Sequence, residues 1–197
     1  MKGQKTMFIF TFAFSADISK KCTVDEDLIF KIAEGNMEAL QDLYDAVYDS
    51  VYGFALSITK NSHDAEDVLQ DTFLAVHKNA PDYISKGKPM AWILTIAKNF
   101  ALMKMRSKNR EMIAEEFVLE NIPAFCELES VEEKAAIKAL LEILTDEERQ
   151  IVMLHAVSGL KNREIASLLG MSIGTVLSKY HRAIRKISAR EEFKNVK

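Results

Sequence analysis

Hydrogen-bonding and cationic side chains recur at helical spacing near the C-terminus of this 197-residue chain. They share one face of a helix predicted to begin at about Ser172, at Thr175, Ser178, Lys179, Arg182, Arg185 and Lys186. Apolar residues form the opposite face, at Ile173, Val176, Leu177, Tyr180, Ile184 and Ile187. No acidic residue lies between Ser172 and Arg190. A helix with one apolar and one basic face has the form that reads the major groove of DNA.

A shorter helix is predicted directly before this one, from Lys161 to Gly170. Its apolar face carries Ile165, Leu168 and Leu169, and Ala166 is small enough for a close helix crossing. Gly170 can adopt a positive φ angle, and Ser172 can cap the next helix. The pattern indicates a helix-turn-helix. The alternative is a solvated basic face on a protein that binds no DNA.

Charge alternates strongly along the chain, although the net charge is only −3. Residues 24–85 hold 13 acidic against 3 basic side chains, whereas residues 86–110 hold 7 basic and no acidic ones. Residues 111–148 hold 12 acidic against 2 basic side chains, and residues 149–197 hold 10 basic against 3 acidic ones. The two basic blocks are therefore candidate polyanion-binding surfaces.

Residues for metal binding or covalent catalysis are sparse. Cys22 and Cys126 have neither metal-ligand nor disulfide-framework spacing, which favours a reducing cytosol. The four histidines are scattered, and no phosphate-binding glycine loop or nucleophile–base pair stands out. We therefore expect no metal, no cofactor and no enzymatic activity.

An apolar run from Met7 to Phe14 follows Lys2 and Lys5, and together they resemble a short signal peptide. The run is too short to span a bilayer. Because an exported protein would not meet DNA, we expect residues 1–23 to be a disordered extension. The alternative is a mis-assigned translation start, with Met7 as another start. The protein is then cytoplasmic, without membrane insertion.

Helical periodicity predicts an all-α protein with two small domains. A four-helix domain is expected over residues 24–110, an acidic linker over 111–130, and a second helical domain over 131–197. The predicted helices before the helix-turn-helix are Asp25–Glu34, one capped by Asn36 and reaching Lys60, His63–Lys78, Pro89–Lys108, Glu132–Leu144, and one opened by a Thr145 capping box and reaching Val157.

Short sequence segments in both halves of the chain resemble the same protein family. In the N-terminal half these are Leu43–Asp45, Asp64–Phe73 and Trp92–Asn99, which resemble regions 2.1, 2.2 and 2.3–2.4 of bacterial sigma-70 factors. In the C-terminal half they are Leu144–Arg149, Glu164–Ala166, Leu169–Ser172, Gly174–Val176 and His181–Ala183, which resemble region four. The short acidic linker, in place of a larger region three, resembles the extracytoplasmic-function (ECF) branch.

The resemblance implies a non-catalytic subunit that binds core RNA polymerase and directs promoter-specific transcription initiation. Such a factor recognises −35 and −10 elements and helps to melt the promoter. The implied partners are the β′ clamp helices and β flap of polymerase, promoter DNA and an anti-sigma factor.

The resemblance also assigns candidate site residues. Positions matching the polymerase-binding helix are Asp64, Glu66, Asp67, Gln70 and Asp71. Candidates for −10 contacts are Lys86, Lys88, Lys98, Asn99 and Arg106. Candidates for −35 contacts are Ser172, Thr175, Ser178, Lys179 and Arg182.

Several positions depart from the family pattern. Met103 replaces the usual Asp, Leu177 a common Lys, Lys179 a common Arg, and His77 a frequent Trp; Lys161 stands where Ser or Thr often caps. Loss of Arg removes a possible bidentate contact to guanine or phosphate. These changes leave the promoter sequence open.

A stand-alone helix-turn-helix regulator is the alternative function. Asp64–Phe73 distinguishes the two, because an operator-binding regulator needs no acidic helix for docking on polymerase.

Overall fold

The computed structural model describes residues 24–108 and 139–195, and all of their regular structure is helical. Contacts divide these residues into two units, 24–108 and 139–195. An all-α architecture with two helical domains is therefore confirmed. The predicted N-terminal extension (1–23), the acidic linker (111–130) and the start of the helix predicted from Glu132 lie outside the described residues. Within the described ranges, no helix is long and apolar enough to cross a membrane.

Four helices form the N-terminal unit, as the sequence predicts. They are α1 (Glu26–Ala33), α2 (Met37–Thr59), α3 (Ser62–Asn79) and α4 (Pro89–Lys108), with a 3-10 turn at Ala80–Asp82. Side chains cap the N-termini of the first three helices. Asp25 accepts from the Asp27 amide, Asn36 from the amides of Glu38 and Ala39, and Asn61 from the Asp64 amide. These caps supply acceptors for amides that lack a partner within the helix.

Helix α2 forms the centre of this unit. Helices α1, α3 and α4 all pack on it, and every residue from Ser50 to Thr59 is buried. Two of its buried hydroxyls bond to its own backbone, since Ser57 donates to the Phe54 carbonyl (2.6 Å) and Thr59 to the Ala55 carbonyl (3.1 Å). Since α2 is enclosed, the outward faces of α3 and α4 carry the surface chemistry of the unit.

Three helices follow a short helical stretch at 139–142 in the C-terminal unit. They are α5 (Asp146–Ala156), α6 (Asn162–Leu169) and α7 (Ile173–Asn195). The predicted capping box opens α5: the Thr145 amide donates to Glu148 Oε2 (2.9 Å), and the Glu148 amide donates to Thr145 Oγ1 (3.3 Å). At Lys161, which has no side-chain acceptor, only the Glu164 half of such a box forms, and it accepts from the Lys161 amide (2.9 Å).

Glu148 also joins α5 to α7. Its side chain is 1% exposed, and Lys186 of α7 donates to its Oε2 atom at 2.6 Å. Burial alone would raise the pKa of this carboxyl. The hydrogen bonds from Lys186 and Thr145 outweigh burial and lower the pKa below its ordinary value. The carboxylate is therefore charged at neutral pH and holds two helices together.

We expect Glu148→Gln to lower the free energy of unfolding by about 2 kcal/mol at pH 7, because a buried charge-assisted contact is lost. The pKa of Glu148 is lower in the folded state than in the unfolded state, where it is near 4.5. The carboxylate therefore stabilises the fold above pH 4.5, and this stabilisation is lost as the pH falls through the folded-state pKa. The difference in unfolding free energy between wild type and variant should therefore decrease below pH 4.5. Urea denaturation followed by far-UV circular dichroism measures this free energy at each pH.

Glu147→Gln is the matched control, since Glu147 is exposed and pairs with Lys179, which lies on α7 as Lys186 does. An exposed pair contributes less than about 1 kcal/mol. Equal destabilisation by the two variants would contradict the role given to Glu148.

Candidate functional site

The turn between α6 and α7 has the predicted geometry. Gly170 ends α6 with φ +69°, a left-handed conformation that favours glycine. Ser172 Oγ accepts from the Thr175 amide at 3.1 Å and lies 2.8 Å from Thr175 Oγ1. Ser172 thus caps α7, and its hydroxyl forms a pair with the hydroxyl of Thr175. Both side chains are exposed at the start of the helix.

Four of the five predicted −35 residues are exposed on α7 or its cap: Ser172, Thr175, Ser178 and Arg182. His181 and Arg185 are exposed beside them. The opposite side of α7 is buried at Val176, Ala183 and Ile187. These exposed residues, together with Gly174, form what we call the α7 face. It offers hydroxyl and cationic groups without a carboxylate.

Lys179 differs from its sequence prediction, because it does not extend from the α7 face. Its ammonium group forms an ion pair with Glu147 of α5, and its side chain is only 22% exposed. Lys186 likewise turns to Glu148. Both positions lie on the flank of α7 next to α5, where acidic side chains attract them. The two lysines neutralise acids that would otherwise repel a polyanion from this unit.

Ile173 and Leu177 also differ from prediction. The sequence pattern assigns them to the buried side of α7, yet they are 43% and 37% exposed. The buried side is centred on Val176, Ala183 and Ile187. Two large apolar side chains therefore border the α7 face.

Helix α3 presents most of the residues predicted to bind polymerase. Gln70 is exposed, and Glu66, Asp67 and Asp71 are half-buried. Asp64 is different, because it is 6% exposed in the first turn of α3. There its charge is near the positive end of the helix dipole. Asp64 is thus buried within the unit, unlike the other four residues predicted to bind polymerase.

Asp67 forms an ion pair with Lys104 of α4, with 2.6 Å between Oδ2 and Nζ. The hydrogen bond from Lys104 lowers the pKa of the Asp67 carboxyl, and the same bond raises the pKa of Lys104. The pair connects α3 to the helix that carries the predicted −10 residues.

Leu74 is a surface residue that the sequence analysis missed. It is 70% exposed and lies one turn beyond Gln70 and Asp71 on α3. The signal was available, since Leu74 is offset from the buried stripe of Val68, Leu69, Phe73 and Val76. We define the α3 surface as Glu66, Asp67, Gln70, Asp71 and Leu74.

The predicted −10 residues lie in two places. Asn99 and Arg106 are exposed on α4 and seven residues apart, which puts them on one helical face. Lys98 is half-buried at its edge, and Lys86 and Lys88 are exposed in the loop before α4. The structure thus places Asn99 and Arg106 on one face and leaves the two loop lysines outside that helix.

Glu26, also missed from the sequence, anchors this loop. Its carboxylate accepts from Tyr83 Oη (2.5 Å), Ser85 Oγ (2.7 Å) and the Gly87 amide (3.0 Å). The bond from Tyr83 is the main cause of a lowered Glu26 pKa. The Tyr83 ring packs against Trp92 with centroids 4.8 Å apart. A carboxylate from α1 therefore fixes the loop that carries Lys86.

Among residues 24–108 and 139–195, no three His, Cys, Asp or Glu side chains form a group that could hold a metal ion.

Comparison with known proteins identifies the family. The models for Sigma-70 region 2 and Sigma-70, region 4 match residues 43–111 and 134–187. The chain belongs to the sigma-70 family, in its ECF branch. It is 28% identical to the ECF RNA polymerase sigma factor SigK of Mycobacterium ulcerans, over 80% of this chain and 88% of that protein. It is 25% identical to SigW of Bacillus subtilis, over 80% and 93%.

Solved structures show the same fold. CnrH, in complex with the cytosolic domain of CnrY, matches with a TM-score of 0.61 and 28% identity, over 85% of this chain and 97% of CnrH. The sigma factor RpoE, in complex with the anti-sigma factor NepR from Bartonella quintana, matches with a TM-score of 0.64 and 23% identity, over 76% and 94%. The family functions in transcription initiation, and this chain is an ECF sigma factor.

The Glu26 anchor can be followed through Trp92, the single tryptophan. We expect Glu26→Ala to release Tyr83, so that Trp92 emission shifts to longer wavelength and acrylamide quenching increases. Because the pKa of Glu26 is lowered, protonation should produce the same change in wild type only below pH 4.5.

Glu26→Gln keeps an acceptor oxygen but cannot titrate, so it should abolish that fluorescence transition. Glu34→Gln, at an exposed residue of the same segment, is the control. A transition that survives Glu26→Gln would show that another group causes it.

Proposed function

We propose that this chain binds core RNA polymerase through the α3 surface and directs it to promoters with −10 and −35 elements. The N-terminal unit contacts the −10 element and helps to melt it, and the C-terminal unit contacts the −35 duplex. The chain is a non-catalytic subunit that acts in the cytoplasm, where polymerase and promoters are. One observation supports this proposal most strongly. The same chain presents the α3 surface, which is acidic and apolar, and the α7 face, which has no acidic residue.

The composition of the α3 surface supports protein docking. Leu74 is a large exposed side chain, and Gln70 and Asp71 lie one turn away. An apolar anchor inside a polar rim is the usual anatomy of a binding hot spot. We propose the β′ clamp helices as its partner. Asp64, being buried, acts by stabilising the start of α3.

Exposed polar and cationic groups on α4 support contact with the opened −10 strand. Asn99 can donate to and accept from base edges, while Arg106, Lys86, Lys88 and Lys98 can bind phosphates. Trp92 is half-buried against Tyr83, which favours a packing role over base stacking.

The α7 face supports duplex recognition. Ser172, Thr175, Ser178 and Arg182 can reach phosphates and base edges from the first turns of a helix set by a tight turn. Lys179 would contact DNA only by exchanging Glu147 for a phosphate. The β flap of polymerase is the proposed partner that carries this unit to the −35 element.

An anti-sigma factor is a further proposed partner. CnrH, 28% identical to this chain, has been solved with the cytosolic domain of CnrY, and the likeness covers 85% of this chain.

A stand-alone helix-turn-helix regulator is the competing function, and transcription separates the two. Purified core polymerase is assayed on a panel of promoters with and without the full chain. Promoter-specific transcripts that require the chain support the proposal, whereas operator binding without holoenzyme formation would favour the regulator.

Asp67→Lys combined with Gln70→Ala should weaken core polymerase binding by about 30-fold or more, because truncation at a hot spot costs about 2 kcal/mol or more. The measurement is holoenzyme formation by the full chain, with binding to a −35 duplex followed in parallel. DNA binding should be unchanged, since the α7 face is intact.

Asp42→Lys with Gln41→Ala is the matched control, because both residues are exposed on α2, outside the α3 surface. Equal loss of polymerase and DNA binding in the test variant would contradict the division of labour between the units.

Arg182→Ala should lower transcription from −35-dependent promoters by about tenfold, as expected for loss of one base or phosphate contact. Arg190→Ala is the control, since it removes the same charge farther along α7. An unchanged promoter response to Arg182→Ala would remove Arg182 from the −35 contacts.

A further inference from the structure

Ile173 and Leu177 form an exposed apolar pair on α7. They are four residues apart and therefore one turn apart on the same side of the helix. Their exposures are 43% and 37%, so much of each side chain meets solvent. The buried side of α7 is supplied by Val176, Ala183 and Ile187, and it does not use the outer halves of this pair. An occupant outside the C-terminal unit would cover them.

Gly174, between them, is a glycine that the described fold does not require. It is absent from the positive-φ residues, and an added Cβ would meet only Ser172 Oγ, at 3.9 Å. Glycine inside a helix is destabilising relative to alanine. Neither backbone conformation nor packing explains this cost. The open space lies on the outward side, where a close partner would use it.

The charges around the pair select the partner. His181, Arg182 and Arg185 are exposed on the same helix, and no acidic residue lies between Ser172 and Arg190. The nearby acids Glu147 and Glu148 are paired with lysines. The partner must therefore carry negative charge and also offer apolar groups to Leu177. The major groove of duplex DNA does both, because thymine presents its C5-methyl group there.

We propose that Leu177, assisted by Ile173, reads thymine C5-methyl groups in the −35 duplex, and that Gly174 allows DNA to approach α7 closely. The proposal rests on the proposed function, since it assumes that α7 enters the major groove. It makes Leu177 a specificity-determining residue. A lysine there would instead seek acceptors on guanine or phosphate, so Leu177 shifts preference toward thymine.

The test removes the methyl group from the DNA. Duplexes bound by holoenzyme are selected from a library randomised at the −35 position. Each thymine is then replaced by deoxyuridine, which lacks only the methyl group. At one or two positions the replacement should weaken wild-type binding by about fourfold, the value of one buried methyl-sized group.

Leu177→Ala should bind thymine and deoxyuridine duplexes equally, whereas Leu177→Met, which keeps an apolar side chain, should retain part of the difference. Circular dichroism verifies folding, and Leu177→Met keeps the test decisive if Leu177→Ala does not fold. Arg182→Ala is the control: it should weaken binding to both duplexes and preserve their ratio.

Gly174→Ala supplies an independent readout. It should raise the melting temperature, because alanine favours helix, and weaken DNA binding, because its methyl group occupies the approach path. A stabilised variant with undiminished DNA binding would overturn the role of Gly174.

Different outcomes would overturn methyl readout by Leu177 and the proposed function. Sequence-selective binding that is indifferent to deoxyuridine at every position would overturn methyl readout and leave the proposed function intact. A methyl effect that persists in Leu177→Ala would overturn the role of Leu177. Loss of polymerase binding in Leu177→Ala, with DNA binding unchanged, would assign the apolar pair to a protein partner and overturn the proposal. Failure of the holoenzyme to select any duplex would instead defeat the proposed function.

Discussion

The C-terminal unit depends on one buried carboxylate. Glu148 closes the capping box that starts α5 and accepts from Lys186 of α7, although its side chain is 1% exposed. Hydrogen bonds offset the lost hydration of a buried charge, and here Oε2 of Glu148 accepts from the Thr145 amide and from Lys186. The same side chain thus contacts the start of one helix and the flank of another. Together with the buried stripe of Val176, Ala183 and Ile187, this contact sets which side of α7 remains outward.

Helix boundaries in both units are determined locally, and the sequence predicts them well. Asn36, Asn61 and Thr145 each place an acceptor before an apolar stripe, and each caps a helix in the structure. Gly170 adopts the left-handed conformation that its position predicts. The sequence likewise predicts four exposed residues of the α7 face, because a capped helix with one apolar stripe leaves its other side to solvent.

What the sequence does not predict depends on neighbours from distant positions. Lys179 follows the same helical spacing as Arg182, but the acids of α5 draw it to the flank. Leu177 fits the apolar stripe, but tertiary packing leaves it 37% exposed. Glu26 lies far along the chain from Tyr83, so no local pattern could indicate their hydrogen bond. Periodicity gives the faces of a helix, and tertiary packing decides where each face ends.

The lysines and arginines of α7 have different roles, which follow from the chemistry of their side chains. Lys179 and Lys186 are compact charges at the border with α5, and each is satisfied by a single carboxylate. Arg182 and Arg185 remain exposed with several donors each, the arrangement that phosphate and guanine recognition needs. Internal neutralisation of Glu147 and Glu148 therefore serves both folding and binding. It holds α7 against α5, and it compensates these two acids near the positive field of the α7 face. A change that freed either acid would weaken this field as well as the fold.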